Sequence, residues 1–309
     1  MRILELPDIR RSLVYSDIIG LMRDALISQF HGECDTPMPM HLDIAAEQAE
    51  VHIKSSYRQG GRYFALKVAS SFPANAQRGL PTGNGMMFLA SAETGQPVAL
   101  LADAGHLTDV RTAAAAAMVA RQLGRQDRVL GILGTGVQAR LQARMHADVL
   151  PLERVLIWGR TPQRAEACAR DLASLLPHVE TALAASPAEL ASGTHLIVTA
   201  TAAHAPLLLA THVQPGTHIS AVGSDAPGKQ ELEPALLRRA HLLLADSRRQ
   251  CEKLGELQHD PAEWDRARDI GRFCLVPSVV PPDAITIADF TGLGVEDLYI
   301  AEYCYERSL

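Results

Sequence analysis

The sequence predicts an α/β protein: a doubly wound parallel sheet in the middle of the chain, with a smaller α+β domain completed by the C-terminal segment. Three observations predict it. From Arg128 onward, apolar runs of strand length alternate with helical segments, the rhythm of a parallel sheet wrapped by helices. One of those runs, Val129–Leu133, ends in Gly134-Thr135-Gly136 and passes directly into a helix-like segment. The first hundred residues instead alternate apolar and polar with period two, the pattern of half-buried strands.

The chain has 309 residues, enough for two domains with cores of their own. Apolar residues make up 47% and charged residues 21%, as in ordinary globular proteins. A net charge of −6 argues against nucleic acid as a partner, because phosphate binding needs a basic surface. No run approaches the ~18 apolar residues that span a bilayer, and the charged N-terminus does not resemble a signal peptide. Cys34, Cys168, Cys251, Cys274 and Cys304 are scattered and form no CxxC pair. A disulfide framework or a metal site is therefore not expected, and a reducing cytoplasm fits. The histidines are dispersed, and no HExxH, GxSxG or P-loop pattern occurs.

Ser16-Asp17 opens a helix over 16–31 with Ile18, Ile19, Met22, Ala25 and Leu26 at helical spacing. Pro37 and Pro39 exclude a helix and predict an extended edge segment. Segments 50–55 and 63–69 alternate around Gly60-Gly61 and read as a hairpin. Lys67 lies on the opposite face from Leu66 and Val68, so pattern alone favours a solvent-facing lysine over a functional one. Strands follow at 86–89 and 97–101, then a helix over Ala113–Leu123 with Arg111 near its start. A cation there opposes the helix dipole, which leaves a functional placement and an ordinary surface arginine both open.

The wound part takes strands at 128–133, 154–158, 179–183, 195–200, 217–222 and 241–245. Helices start near Val137, Pro162 and Ser186-Pro187. In this setting the glycine stretch reads as a Rossmann-type dinucleotide motif, with Gly134 at the turn, Gly136 beside the phosphates and the small Ala139 packing helix on strand. The second strand ends in Gly159-Arg160-Thr161, with Arg164 one turn on. A carboxylate there would bind a ribose 2′-hydroxyl, whereas arginine and threonine suit a 2′-phosphate, so NADPH is favoured over NADH. Asp225 follows the fifth strand in a Gly/Pro loop and reads either as a turn residue or as a ligand-side acid. The segment from 285 to 309, a strand, a glycine loop and a helix, is expected to leave the wound sheet. The expected domains are 1–120 with 285–309, and 121–284.

Several stretches together resemble the ornithine cyclodeaminase/μ-crystallin family over nearly the whole chain. They are Lys67–Asn75, Gly79–Thr82, Leu107–Ala114, Gly134–Ala139 (including Val137 and Gln138), Val222–Asp225 and Thr291–Gly294. The resemblance implies a central dinucleotide domain and a terminal substrate and dimerisation domain, hence a homodimer. By resemblance Lys67 is the active-site lysine, Arg111 holds the substrate carboxylate and Asp225 is the acid near the reacting nitrogen. Thr82 lies by substrate and nicotinamide, and Thr112 joins the cofactor set. The family commonly carries a second carboxylate-binding arginine in a Pro-x-Arg segment; here Pro39-Met40-His41 puts His41 in its place.

The implied function is an NADPH-dependent reductase of a small imino acid, with Δ1-pyrroline-2-carboxylate to L-proline the first choice. Hydride addition to C=N needs a proton donor or anion near nitrogen and a cationic clamp on the carboxylate. Ornithine cyclodeamination with catalytic NAD, and a non-catalytic NADPH-binding protein, are the alternatives. The residues shaping the substrate pocket are expected around His41, Glu50, His52 and Met86.

Overall fold

The structure is a computed structural model that describes residues 1–276 and 279–309. The described residues form two compact units, Met1–Arg111 with Leu293–Leu309, and Thr112–Gly292.

The first unit begins β1 (Arg2–Glu5), α1 (Leu6–Ser12), α2 (Tyr15–Phe30), β2 (Cys34–Asp35) and β3 (Met40–Ile44). It continues with β4 (Ala49–Arg58), β5 (Tyr63–Ser71), β6 (Gly83–Ser91) and β7 (Pro97–Ala102). The sheet order is β1-β7-β6-β5-β4-β2, with β3 also paired to β4. The β4–β5 hairpin turns at Gly60, whose φ of +71° is left-handed and suits glycine. Helix α2 buries Ile18, Ile19, Met22, Ala25 and Leu26, the face set by their three- and four-residue spacing.

The orientation of β5 reverses the expectation. Ala65 and Lys67 point inward, with Lys67 only 2% exposed, while Val68 is 38% exposed. The inner face is covered by the C-terminal helix, Gly294–Glu306, which packs on β4, β5 and β6. It approaches so closely that a Cβ on Gly294 would stand 2.3 Å from the Ser55 carbonyl oxygen. Register places Met86 opposite Val68 on the outer face, so Met86 does not share a face with His41, Glu50 and His52 as expected.

Helix α3 (His106–Gln122) starts well before Ala113, so Arg111 sits in its second turn rather than at its start. There the guanidinium is beyond the first turn, and the helix dipole does not disfavour it. The second unit then runs β8 (Val129–Leu133), α4 (Val137–Ala147), β9 (Arg154–Trp158), α5 (Pro162–Leu175), β10 (Glu180–Leu183), α6 (Pro187–Ser192) and β11 (Leu196–Thr199). It continues β12 (His204–Leu208), β13 (His218–Ala221), β14 (Gln230–Leu232), α7 (Pro234–Arg239), β15 (Leu242–Ala245), α8 (Arg248–Leu254), β16 (Arg268–Asp269), α9 (Ile270–Leu275) and β17 (Thr286–Asp289). The strands of its main sheet are all parallel, in the order β10-β9-β8-β11-β13-β17-β15-β16.

The chain does not leave this sheet at residue 285: β17 lies between β13 and β15 with all four residues buried. A strand covered on both faces usually reads as an unbroken apolar run. Thr286 and Asp289 break that pattern, which is why the sequence concealed a central strand. The core under the sheet gathers Leu133, Ile197, Ile219, Leu236, Leu243 and Ile287, among others.

Candidate active site

The glycine stretch forms the turn from β8 to α4. Gly134 has φ +132°, and a Cβ there would stand 2.5 Å from the Ala200 carbonyl oxygen, so both backbone and space require glycine. Gly136 differs. A Cβ on it would meet nothing within 4 Å, so the protein's own packing does not explain this glycine. Val137 is exposed at the start of α4, while Ala139 is buried against the sheet. The N-terminus of this eleven-residue helix thus faces open space with its N–H groups forward, a ready anion site. At the end of β9, Arg160, Thr161 and Arg164 are all exposed. The Thr161 carbonyl accepts from the Arg164 and Ala165 N–H groups, which opens α5 and projects both arginines from one turn.

The carboxyl ends of the neighbouring strands are tied by buried acids. Glu231 accepts from Thr199 Oγ1 at 2.7 Å, Thr201 N–H at 2.6 Å and hydroxyl at 2.7 Å, and Gly223 N–H at 2.9 Å. Glu256 accepts from the Glu231 and Leu232 N–H groups, and Asp289 from those of Glu256 and Leu257. Asp246 takes the N–H groups of Thr291 and Gly292. Burial pushes the carboxyls of Glu231 and Asp289 up to about 7, against the hydrogen bonds that favour ionisation. Asp225 lies in the loop after β13 with its side chain 42% exposed and paired to Lys229 Nζ at 2.8 Å. Thr112 is half-buried on α3.

The first unit brings Lys67 and Arg111 onto one pair of acids. Lys67 Nζ lies 2.9 Å from Asp297 Oδ2 and 3.1 Å from Oδ1. Arg111 Nε lies 3.4 Å from Asp297 Oδ1, and its terminal nitrogen donates to Glu296 Oε2 at 3.3 Å. Glu296 Oε2 also accepts the Leu293 N–H at 2.6 Å and so closes the first turn of the C-terminal helix. Lys54, buried and directly across from Lys67 in the β4–β5 register, adds a third cation. Burial lowers the Lys67 pKa to about 7; Asp297 pulls it back up, while Arg111 and Lys54 push it further down. A lysine poised there exchanges a proton near neutrality, as an acid–base group must.

The solvent-facing reading of Lys67 is thus overturned, because the face that looked polar is the one the C-terminal helix covers. Asp297 and Glu296 were missed by sequence reasoning. Acids in a first helical turn have a ready dipole explanation. The usable signal was that Gly294–Ala301 is otherwise apolar or aromatic, which leaves no solvent face for a charge. Thr82 is exposed, and its carbonyl accepts from Phe72 N–H at 2.7 Å, closing the loop before β6. His41 lies on β3, where its Nε2 hydrogen-bonds Asp43 Oδ1 at 2.8 Å.

Known proteins share this architecture. The structure of Thermococcus litoralis Δ1-pyrroline-2-carboxylate reductase in complex with NADH and L-proline aligns with a TM-score of 0.93 at 24% identity, covering 100% of this chain and 97% of that one. At that identity the likeness speaks for the fold. In sequence, an uncharacterized cyclodeaminase, y4tK, of Sinorhizobium fredii is 42% identical over 283 residues, 88% of this chain and 84% of the relative. A Δ1-pyrroline-2-carboxylate reductase of Bacillus cereus is 31% identical over 283 residues, 89% and 86% of the two chains. The model of the ornithine cyclodeaminase/mu-crystallin family matches residues 2–309, and the chain belongs to that family.

Proposed function

We propose that this chain is an NADPH-dependent oxidoreductase of an α-imino acid, with Δ1-pyrroline-2-carboxylate reduced to L-proline as its reaction. The observation that carries the reading is the buried Lys67, near neutral pKa, sharing Asp297 with Arg111. Lys54, Lys67 and Arg111 are three buried cations gathered near Asp297, and cations held away from water attract an incoming carboxylate.

The Gly134–Ala139 turn, including Val137 and Gln138, offers helix N–H groups and an open cradle at Gly136, which fits a dinucleotide pyrophosphate. Arg160, Thr161 and Arg164 are free to take a 2′-phosphate, which is the support for NADPH over NADH. The bound nicotinamide supplies the hydride for the C=N carbon. Arg111 holds the α-carboxylate and fixes which face of that carbon is presented. Lys67 supplies or withdraws a proton at the substrate, and Asp297 holds its Nζ in place. Asp225 serves the imine nitrogen, Thr82 lines the substrate site, and Thr112 belongs to the cofactor set. The outer face of the first unit exposes Met40 and Leu42 on β3, Val68 on β5 and Met86 on β6, which supports a homodimer through that sheet. The described residues include no helix long and apolar enough to cross a membrane. The five cysteines are all buried free thiols, which supports a reducing, cytoplasmic location.

The test is consumption of reduced nicotinamide with Δ1-pyrroline-2-carboxylate, run in parallel with NADPH and NADH. Turnover with NADPH preferred is the expected result; turnover with neither sinks the reading. The similarity to y4tK, named a cyclodeaminase, favours one rival, a cyclodeamination, for which ornithine is the substrate to try. It would appear as ammonia released from ornithine with only catalytic NAD.

A further inference from the structure

On the inner face of the first unit, β3 and β4 bring together side chains that are far from any metal-ligand spacing in the sequence. Their antiparallel register sets His41 opposite His52 and Asp43 opposite Glu50. The imidazole rings meet edge to face with centroids 4.7 Å apart. His41 Nδ1 and His52 Nε2 are both buried, and among the described residues neither has a hydrogen-bond partner. One ligand atom from each of His41, Glu50 and His52 lies within 4.8 Å of the other two. Glu50 Oε2 stands 3.5 Å from His52 Nε2.

We propose that His41, His52 and Glu50 bind a divalent transition-metal ion of the zinc class. Two imidazoles and a carboxylate are a borderline-soft ligand set that suits such ions better than magnesium or calcium. Ligands about 2.0–2.1 Å from a tetrahedral ion lie roughly 3.4 Å from one another, so a trio within 4.8 Å needs to close by at most about 1.4 Å. The hydrogen bond from His41 Nε2 to Asp43 Oδ1 makes Nε2 the protonated nitrogen and leaves the buried Nδ1 with its lone pair for a metal. That is the carboxylate–histidine–metal arrangement in which the outer acid fixes the tautomer. Three protein ligands leave a coordination position open for water. The site lies on the same sheet face as Lys67, because His52 and Lys54 are two residues apart on β4 and Lys54 pairs with Lys67.

This proposal stands independently of the reduction reaction, and its test uses neither nucleotide nor substrate. The full chain, stripped with chelator, is titrated with Zn²⁺ by calorimetry, and with Co²⁺ by visible absorption. One equivalent of Zn²⁺ at micromolar affinity or tighter is expected, lost in His41→Ala and in His52→Ala. Co²⁺ should give the strong bands of a tetrahedral nitrogen and oxygen site without thiolate charge transfer. Asp43 is 77% exposed, so Asp43→Asn leaves the fold intact; it should weaken Zn²⁺ binding about 10–100-fold. Absence of saturable Zn²⁺ binding overturns the proposal. So does affinity that is unchanged in a His41→Ala/His52→Ala double variant, or thiolate bands with Co²⁺.

Discussion

The first unit meets its buried cations with carboxylates, whereas the second holds buried carboxylates with N–H and O–H dipoles. Lys67 and Arg111 share Asp297, with Lys54 beside them, in a cluster of mobile protons and full charges. Glu231, Glu256, Asp246 and Asp289 instead gather backbone N–H groups from loops at the ends of parallel strands. Both arrangements satisfy buried charge and both bring a pKa to about 7, but the oxygens of Glu231 and Asp289 are taken up by loop N–H and O–H groups, whereas the Lys67 ammonium answers to another full charge. The contrast separates chemistry from scaffolding among residues equally hidden from water: a charge met by an opposite charge can be tuned, and one met by backbone dipoles fastens a loop.

The largest effect expected from breaking the contrast is at Lys67. Lys67→Met, similar in length, should lower kcat about 10²–10⁴-fold in the reductase assay, the usual worth of acid–base catalysis. An unchanged kcat would make Lys67 a structural cation like any other. Next is Asp297→Asn, which leaves two cations without their shared partner and should cost about 3–5 kcal/mol in urea unfolding. Since Asp297 raises the Lys67 pKa, the same variant should move the Lys67 limb of the pH–rate profile to lower pH.

A smaller effect is expected at Glu231→Gln. The amide nitrogen would face groups that only donate or already donate, at about 1–3 kcal/mol, and the pH–rate profile should not move. The two regions also differ in the sign of their pH dependence. Glu231 and Asp289 have folded pKa values raised to about 7, so their contribution to stability is present at low pH and lost as pH rises toward 7 and above. Lys67 is lowered from 10.5 to about 7, so its contribution is present above 10.5 and lost as pH falls through 7. Glu231→Gln should therefore flatten the acid-side slope of stability and leave the alkaline side unchanged.

The two regions were not equally legible in the sequence. Gly134–Ala139 could be read directly, because a turn and a helix start are local events and the flanking strands repeat with a clear rhythm. The hairpin strands were also legible, but not which of their faces is inside. Leu66 and Val68 look like core residues, yet Val68 lies on an outer face that is itself apolar, and the inner face carries Lys54, Lys67 and His52. Asp297 and Glu296 are some two hundred residues from Lys67, and only tertiary packing brings them there. The acid-tied loops were invisible for the same reason, and β17 was misplaced because Asp289 interrupts its apolar run. His41 and His52 meet through register, not spacing.

The claim on which the account turns is that Lys67 exchanges its proton near neutrality. Its ζ-nitrogen or ε-carbon resonance, assigned by difference against Lys67→Met in lysine-labelled protein, can be followed through a pH titration. The account predicts a midpoint of about 7. A midpoint near the ordinary lysine value of about 10.4 would contradict it.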